Sequence, residues 1–252
     1  MKEKYIKIYG LQRTGTNYLE WSMNENFKNT NVLKHGNMLG WKHGNPVLIE
    51  NVDWTGKNWD NQKHSDQELA QERVQNYQIE LSKLGGKEPI LQAAKENRIK
   101  YVFCVRDPYC WLTSRGPAWA GVLQDMPRDL EKAIHFWNEM NKKYFDFVTS
   151  VGSENCCFVT HFSLINNDKE MIQWIAEKFE IETNDTIHSR DDQINPGRWD
   201  SEFTEGKKID KKKYGLPNWF LNNLNPSIVK RVSAAVDPGI MEFFEFEVWH
   251  LK

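Results

Sequence analysis

The stretch Tyr9-Gly10-Leu11-Gln12-Arg13-Thr14-Gly15-Thr16-Asn17-Tyr18 decides how this chain folds. It follows an apolar, strand-like run at Tyr5–Tyr9 and leads into helical spacing over Thr16–Phe27, so Gly10–Gly15 is a loop between strand and helix. Backbone N–H groups and the helix dipole converge on an anion at such a junction. Gly10 and Gly15 have the G-x-x-x-x-G spacing of a P-loop, in which glycine permits a tight wrap around phosphate. A nucleoside triphosphatase continues with Lys and then Ser or Thr, which serve the β/γ-phosphates and magnesium. Thr16 and Asn17 stand in those places here, and the loop's own cation, Arg13, lies inside it. The combination is poorly suited to ATP chemistry. Taken alone, the loop also reads as a plain glycine turn.

Working outward, strands alternate with helices. Val32–His35 and Val47–Glu50 read as short strands, and Asp66–Leu84 as a helix stopped by Gly85-Gly86. Ile99–Val105 is apolar at nearly every position, the pattern of a parallel strand buried on both faces. Pro127–Val148 carries the stripe Leu130, Ile134, Trp137, Met140 and Tyr144 at helical spacing. Cys156–Thr160 is a further strand, followed by helical patterns over Asp168–Phe179, about Asn218–Leu224 and Ser227–Val236. Such alternation predicts an α/β fold, a three-layer α/β/α arrangement with a central parallel sheet. No repeat divides the 252 residues. The expectation is a single domain over 1–252, with an irregular loop and helix excursion at about 51–97.

The second informative segment is Arg106-Asp107-Pro108-Tyr109-Cys110-Trp111-Leu112-Thr113-Ser114, entered directly from the strand Ile99–Val105. An Arg fork at the carboxyl end of a buried strand can grip a phosphate bidentately. Pro108 suits the first turn of a helix, which would place Ser114 on that helix. An Arg–Asp surface turn is the bland alternative.

Together the two segments resemble the PAPS-dependent sulfotransferases, where PAPS is 3′-phosphoadenosine 5′-phosphosulfate. Arg13-Thr14-Gly15-Thr16-Asn17-Tyr18 is similar to the family's 5′-phosphosulfate loop, and Arg106 and Ser114 have the spacing of its 3′-phosphate site. The resemblance implies the sulfotransferase type of the P-loop nucleoside triphosphate hydrolase-like fold. It also implies PAPS as donor, PAP as product, no metal requirement, and donor contacts from Arg13, Thr14, Gly15, Thr16, Asn17, Tyr18, Arg106 and Ser114. Tyr18 takes the place where a family aromatic stacks on adenine. Thr160-His161-Phe162-Ser163-Leu164 and the tail Leu216–Phe244 resemble later family segments, the former departing at most positions. The family's late Arg-Lys-Gly element has no contiguous counterpart; Arg198 or Gly206-Lys207-Lys208 are the substitutes on offer, and Lys207–Lys213 also reads as a solvated face.

On the acceptor side, Gly40-Trp41-Lys42-His43-Gly44 resembles the family's Lys-Thr-His segment with the middle residue missing. His43 is the candidate general base, since an imidazole titrates near neutrality. Lys42 and Arg13 are the candidates for stabilising charge on the bridging oxygen. His35 and Glu50 are alternative bases. Trp41, Trp54, Trp59 and Trp119, among 11 tryptophans, lie in loop-like segments where they could stack on an acceptor or simply pack.

Composition narrows the remaining classes. Thirty-three basic against 35 acidic residues, a net charge of -2, argue against a nucleic-acid protein. Mean hydropathy is -0.71 and no apolar run is long enough for a membrane span. No apolar leader precedes Tyr5, and four scattered cysteines read as reduced core thiols, Cys156 and Cys157 facing opposite sides of their strand. A cytoplasmic enzyme is expected, acting on a small-molecule, glycan or peptide acceptor whose identity, like the oligomeric state, the residues do not name. Two alternatives stay open: a P-loop kinase with a degenerate loop, and an inactive module that binds PAP or a glycan.

Overall fold

Parallel strands at the centre and helices on both faces follow from strands that are apolar on both sides. The computed structural model describes residues 2–33, 38–56, 67–114, 126–189, 220 and 224–249, excepting the side chains of 67–70, 114 and 126–129. Strand β1 (Lys4–Gly10) leads through the Gly-containing loop into α1 (Thr16–Asn26), then β2 (Thr30–Val32). Helices α2 (Gln67–Lys83) and α3 (Lys87–Lys95) precede β3 (Ile99–Val105), which leads into α4 (Pro108–Ser114) and α5 (Met126–Val151). Strand β4 (Cys156–Thr160) runs into α6 (His161–Asn166) and α7 (Asp168–Lys178); α8 (Pro226–Ala235) and α9 (Pro238–Phe243) follow.

The four strands are all parallel, in the order β2-β1-β3-β4. Side-chain alternation splits them between two cores. Tyr5, Tyr9, Tyr101, Phe103 and Val105 face one layer, with Ile90 of α3, Trp111 of α4, the α5 stripe and Val229 of α8. Ile6, Ile8, Val102, Cys104 and Val159 face the other, with Leu19 and Met23 of α1, Leu164 of α6 and Ile172 of α7. The expected α/β/α layering is therefore present. The stripe Leu130, Ile134, Trp137, Met140 and Tyr144 is buried along its length. Cys156 and Cys157 go to opposite cores, and all four cysteines are buried thiols outside any disulfide.

Some local expectations are corrected. Of the strand expected at Val32–His35, Val32 ends a strand that begins at Thr30, Leu33 lies past it, and 34–35 fall outside the described residues. No strand forms at Val47–Glu50. Pro46 has no N–H to donate to a ladder, the Val47 N–H bonds the Tyr9 hydroxyl at 3.1 Å, and the chain turns in a 3-10 helix at Ile49–Asn51. Within 51–97, α2 matches the helical spacing read over Asp66–Leu84, while α3 is a helix that the spacing did not mark. Gly85 and Gly86 end α2 with N–H bonds to Ser82 O (3.0 Å) and Leu81 O (2.9 Å).

This topology locates a crevice before any ligand is considered. After β1 the chain turns to the α1 layer and on to β2 at one edge; after β3 it turns to the α4–α5 layer and on to β4 at the other. Strands β1 and β3 are neighbours in register, Gly10 opposite Cys104. Their carboxyl ends form the point where the strand order reverses, the place at which open α/β sheets take ligands.

Candidate active site

Gly10 closes β1 where no side chain fits. A Cβ there would lie 2.6 Å from the carbonyl oxygen of Cys104 on β3 and 2.6 Å from the Thr14 hydroxyl. Gly15, the N-cap of α1, has φ of 96°, in the left-handed region that glycine enters without a Cβ penalty. Arg13 is left-handed too, at φ 70°. Between them the chain wraps tightly. The Thr14 N–H and hydroxyl both bond Leu11 O, at 3.2 and 2.7 Å. Thr14 is thus buried and its hydroxyl closes the loop, while Arg13 and Asn17 are exposed.

Two side chains of the neighbouring strand–helix junction hold the loop from outside. Arg106 follows β3 directly, is 4% exposed, and donates from Nη1 to Arg13 O at 3.0 Å. Trp111 of α4 donates from Nε1 to Gln12 O at 2.9 Å. Asp107 caps α4 through the Cys110 N–H at 2.8 Å, and Trp137 of α5 donates to Arg106 O at 3.0 Å. Carbonyls of Leu11, Gln12 and Arg13 are therefore all engaged on the outer side of the wrap. The N–H groups of Gly15, Thr16 and Asn17, in the first turn of α1, have no protein acceptor among the described residues. N–H groups so placed, together with the helix dipole, can receive an anion.

A third segment completes the site. The Gly10 N–H bonds Lys42 O at 2.8 Å, and His43 Nδ1 donates to Gly10 O at 2.7 Å. That bond fixes the neutral imidazole with its proton on Nδ1 and its lone pair on Nε2. Burial lowers the His43 pKa to about 4; the bond to Gly10 opposes this, and the Lys42 and Lys7 charges add to it. Trp41 packs edge-on against the ring, centroids 5.3 Å apart. The Lys42 ammonium reaches the exposed side of α1, bonding Asn17 Oδ1 and lying 3.3 Å from Glu20 Oε2. A cation thus arrives by tertiary contact beside the position where the loop sequence lacks one.

The structure brings Arg13, Thr14, Gly15, Thr16, Asn17, Lys42, His43 and Arg106 together at the ends of β1 and β3. Tyr18 lies one turn into α1, buried, its ring stacked on Trp21 at 6.0 Å and its hydroxyl on Asp168. Ser114 is the last residue of α4. Glu50 is exposed in the 3-10 turn, and Trp54 packs partly buried against the α5-side core. His35, Trp59, Trp119, Arg198, Gly206 and the Lys207–Lys213 cluster lie outside the described residues.

Two further residues belong to the site. His161, at the start of α6, comes within 3.4 Å of where a Cβ on Gly15 would sit. Burial, then the Arg106 charge, push its pKa well below the usual value. Its position in Thr160–Leu164 was a sequence signal for it. Lys7 is fully buried in β1, and a lysine on the face shared by Tyr5 and Tyr9 is the signal that marks it. Among the described residues no group of His, Cys, Asp or Glu could hold a metal ion, and no helix is long and apolar enough to cross a membrane.

No family model matches the chain, and no curated protein matches it. Among solved structures, the sulfotransferase domain from the Synechococcus PCC 7002 olefin synthase is similar at 14% identity and TM-score 0.44, covering 99% of this chain and 98% of that one. The sulfotransferase domain from the curacin biosynthetic pathway is similar at 13% identity and TM-score 0.41, covering 99% of each. These likenesses are too slight to assign a function, which must be argued from the residues at the ends of β1 and β3.

Proposed function

We propose that the protein is a sulfotransferase that moves a sulfuryl group from PAPS to a hydroxyl or amine of an acceptor and releases PAP. The observation that carries the reading is the meeting, at one switch point, of a P-loop lacking the triphosphatase Lys-Ser/Thr pair with the buried Arg106 of the next strand. A donor with phosphate at both ends of its ribose calls for two separate anion sites, and the loop before α1 and Arg106 after β3 support that reading. The Gly15, Thr16 and Asn17 N–H groups suit the 5′-phosphosulfate and the buried Arg106 suits the 3′-phosphate, with Ser114 assigned beside it from its sequence spacing alone.

The transfer follows from the side chains. An acceptor O–H or N–H attacks sulfur as its proton passes to His43 Nε2, the new bond to sulfur forming as the bond from sulfur to the bridging oxygen breaks. That oxygen leaves with PAP, its charge offset by Arg13 and Lys42. A His43 held neutral at physiological pH keeps the accepting lone pair available. In this reading the acceptor is a small molecule, a glycan or a peptide, and the transfer as written calls on no metal.

Calorimetric titration with PAP, against ATP and magnesium as control, tests the donor class. Micromolar binding of PAP with weak binding of ATP is expected, after which labelled PAPS identifies the acceptor. Binding of ATP in preference to PAP would replace this reading by a kinase. PAP binding without turnover of PAPS on any acceptor would leave a binding module.

A further inference from the structure

Lys7 has no part in the chemistry described so far, yet its placement is costly enough to need a reason. It is wholly buried at the centre of β1, where apolar side chains flank it, and burial lowers its pKa to about 7, with the Lys42 charge adding to this and Glu20 opposing it. A lysine is seldom buried unless its head group has a specific partner. Here the ammonium donates to Gly40 O at 2.6 Å and lies 5.4 Å from the centre of the Tyr9 ring.

Gly40 is half of an unusual turn. Leu39 and Gly40 are both left-handed, at φ 61° and 84°, and a leucine in that region is strained. Such a conformation persists only where the surroundings over-determine it. The two left-handed residues have their carbonyls caught from the same strand: Tyr9 donates its hydroxyl to Leu39 O, and Lys7 donates to Gly40 O. The turn so held delivers Trp41, Lys42 and His43 to Gly10, where the Lys42 carbonyl takes the Gly10 N–H and His43 bonds the Gly10 carbonyl.

We propose that Lys7 is a positioning residue, which together with Tyr9 locks the Leu39–Gly40 turn and through it orients the imidazole of His43 at the end of β1. This rests on His43 being the base of the proposed transfer. Lys7 touches neither donor nor acceptor; its effect reaches the chemistry only through the loop.

The test uses Lys7→Met, which keeps the apolar stem and removes the donor, with Tyr9→Phe as a second variant that removes the other donor with little change of volume. The readouts are the ring ¹⁵N shifts of His43, PAP affinity, and kcat and KM for the donor. Lys7→Met is expected to convert the Nδ1–H tautomer of His43 into a mixture and to lower kcat about 10–100-fold, with KM and PAP affinity within about threefold. Tyr9→Phe is expected to act in the same direction, and carries the test if Lys7→Met does not fold. Unchanged His43 shifts in a folded variant overturn the positioning role, whether or not kcat falls. Altered shifts in a protein whose wild type never turns over PAPS uphold the role of Lys7 and overturn sulfuryl transfer instead.

Discussion

His43 is kept neutral chiefly by burial, against the pull of its hydrogen bond to Gly10 O and with the help of two nearby lysines. If it is the base, the acid limb of kcat/KM lies near pH 4, where the folded imidazole titrates, and not near its ordinary 6.5. A pH–rate profile decides this, and a limb near 6.5 would assign the base to another group. His43→Ala is expected to lower turnover about 10²–10⁴-fold while PAP affinity is kept. Arg106 braces Arg13 O, and in the proposed transfer the same guanidinium also offers charge to an anion. Calorimetry of Arg106→Ala should show PAP binding weakened by roughly 2–4 kcal/mol, because a buried charge-assisted contact is lost together with the loop's brace. Unchanged affinity would remove the 3′-phosphate from this residue.

Among the elements, the β1–loop–α1 unit tolerates little added volume at Gly10. Gly10 sits so close to β3 that any Cβ meets the Cys104 carbonyl at 2.6 Å, and backbone cannot swing aside as a side chain can. Gly10→Ala must push β1 from β3 or reopen the loop at Thr14. Chemical denaturation should find it less stable by roughly 1–3 kcal/mol, the usual cost of overpacking, with PAP affinity reduced as well. Wild-type stability and affinity would mean that the strands separate freely there. Helix α5 holds the other side of the site: Trp137, on its buried stripe, secures Arg106 O and so the start of the β3–α4 turn.

Across the whole molecule, buried neutral imidazoles make the fold sensitive to acid. The unfolded chain takes up a proton on His43 near pH 6.5, whereas the folded protein does so only near 4. Stability from this group is therefore complete above pH 6.5 and declines as pH falls toward 4, by roughly 3 kcal/mol in total. His161, lowered in the same direction, steepens that decline. Lys7 has the same sign in a higher window: folded near 7 and unfolded near 10.5, it makes stability rise with pH between those values. Thermal midpoints measured from about pH 4 to 8 are expected to climb, with Lys7→Met flattening the slope above neutrality. A midpoint independent of pH below 6.5 would show that both imidazoles are accessible to protons in the folded state.

Local pattern was enough for much of this. Ile99–Val105 and Cys156–Thr160 are strands over the residues their apolar runs mark, because a run apolar on both sides is stable only inside a parallel sheet. Glycine spacing placed the loop, since Gly10 and Gly15 occupy the positions a strand–loop–helix wrap denies to other residues. The segment 38–51 was not legible in the same way. Its conformation answers to partners distant in sequence: Tyr9 takes the Val47 N–H, Lys7 takes Gly40 O, and Gly10 takes both Lys42 and His43. For the same reason His161 and Lys7 emerged only when the chain was folded. Sequence by itself determined the α/β layering and the two strand–loop–helix junctions proposed to bind anions, because both depend on near-neighbour periodicity and turn chemistry. Tertiary structure alone decided that those junctions meet at the β1–β3 switch point and that Lys42 and His43 join them. Strand order and long-range hydrogen bonds are properties of packing, which no short stretch of residues encodes.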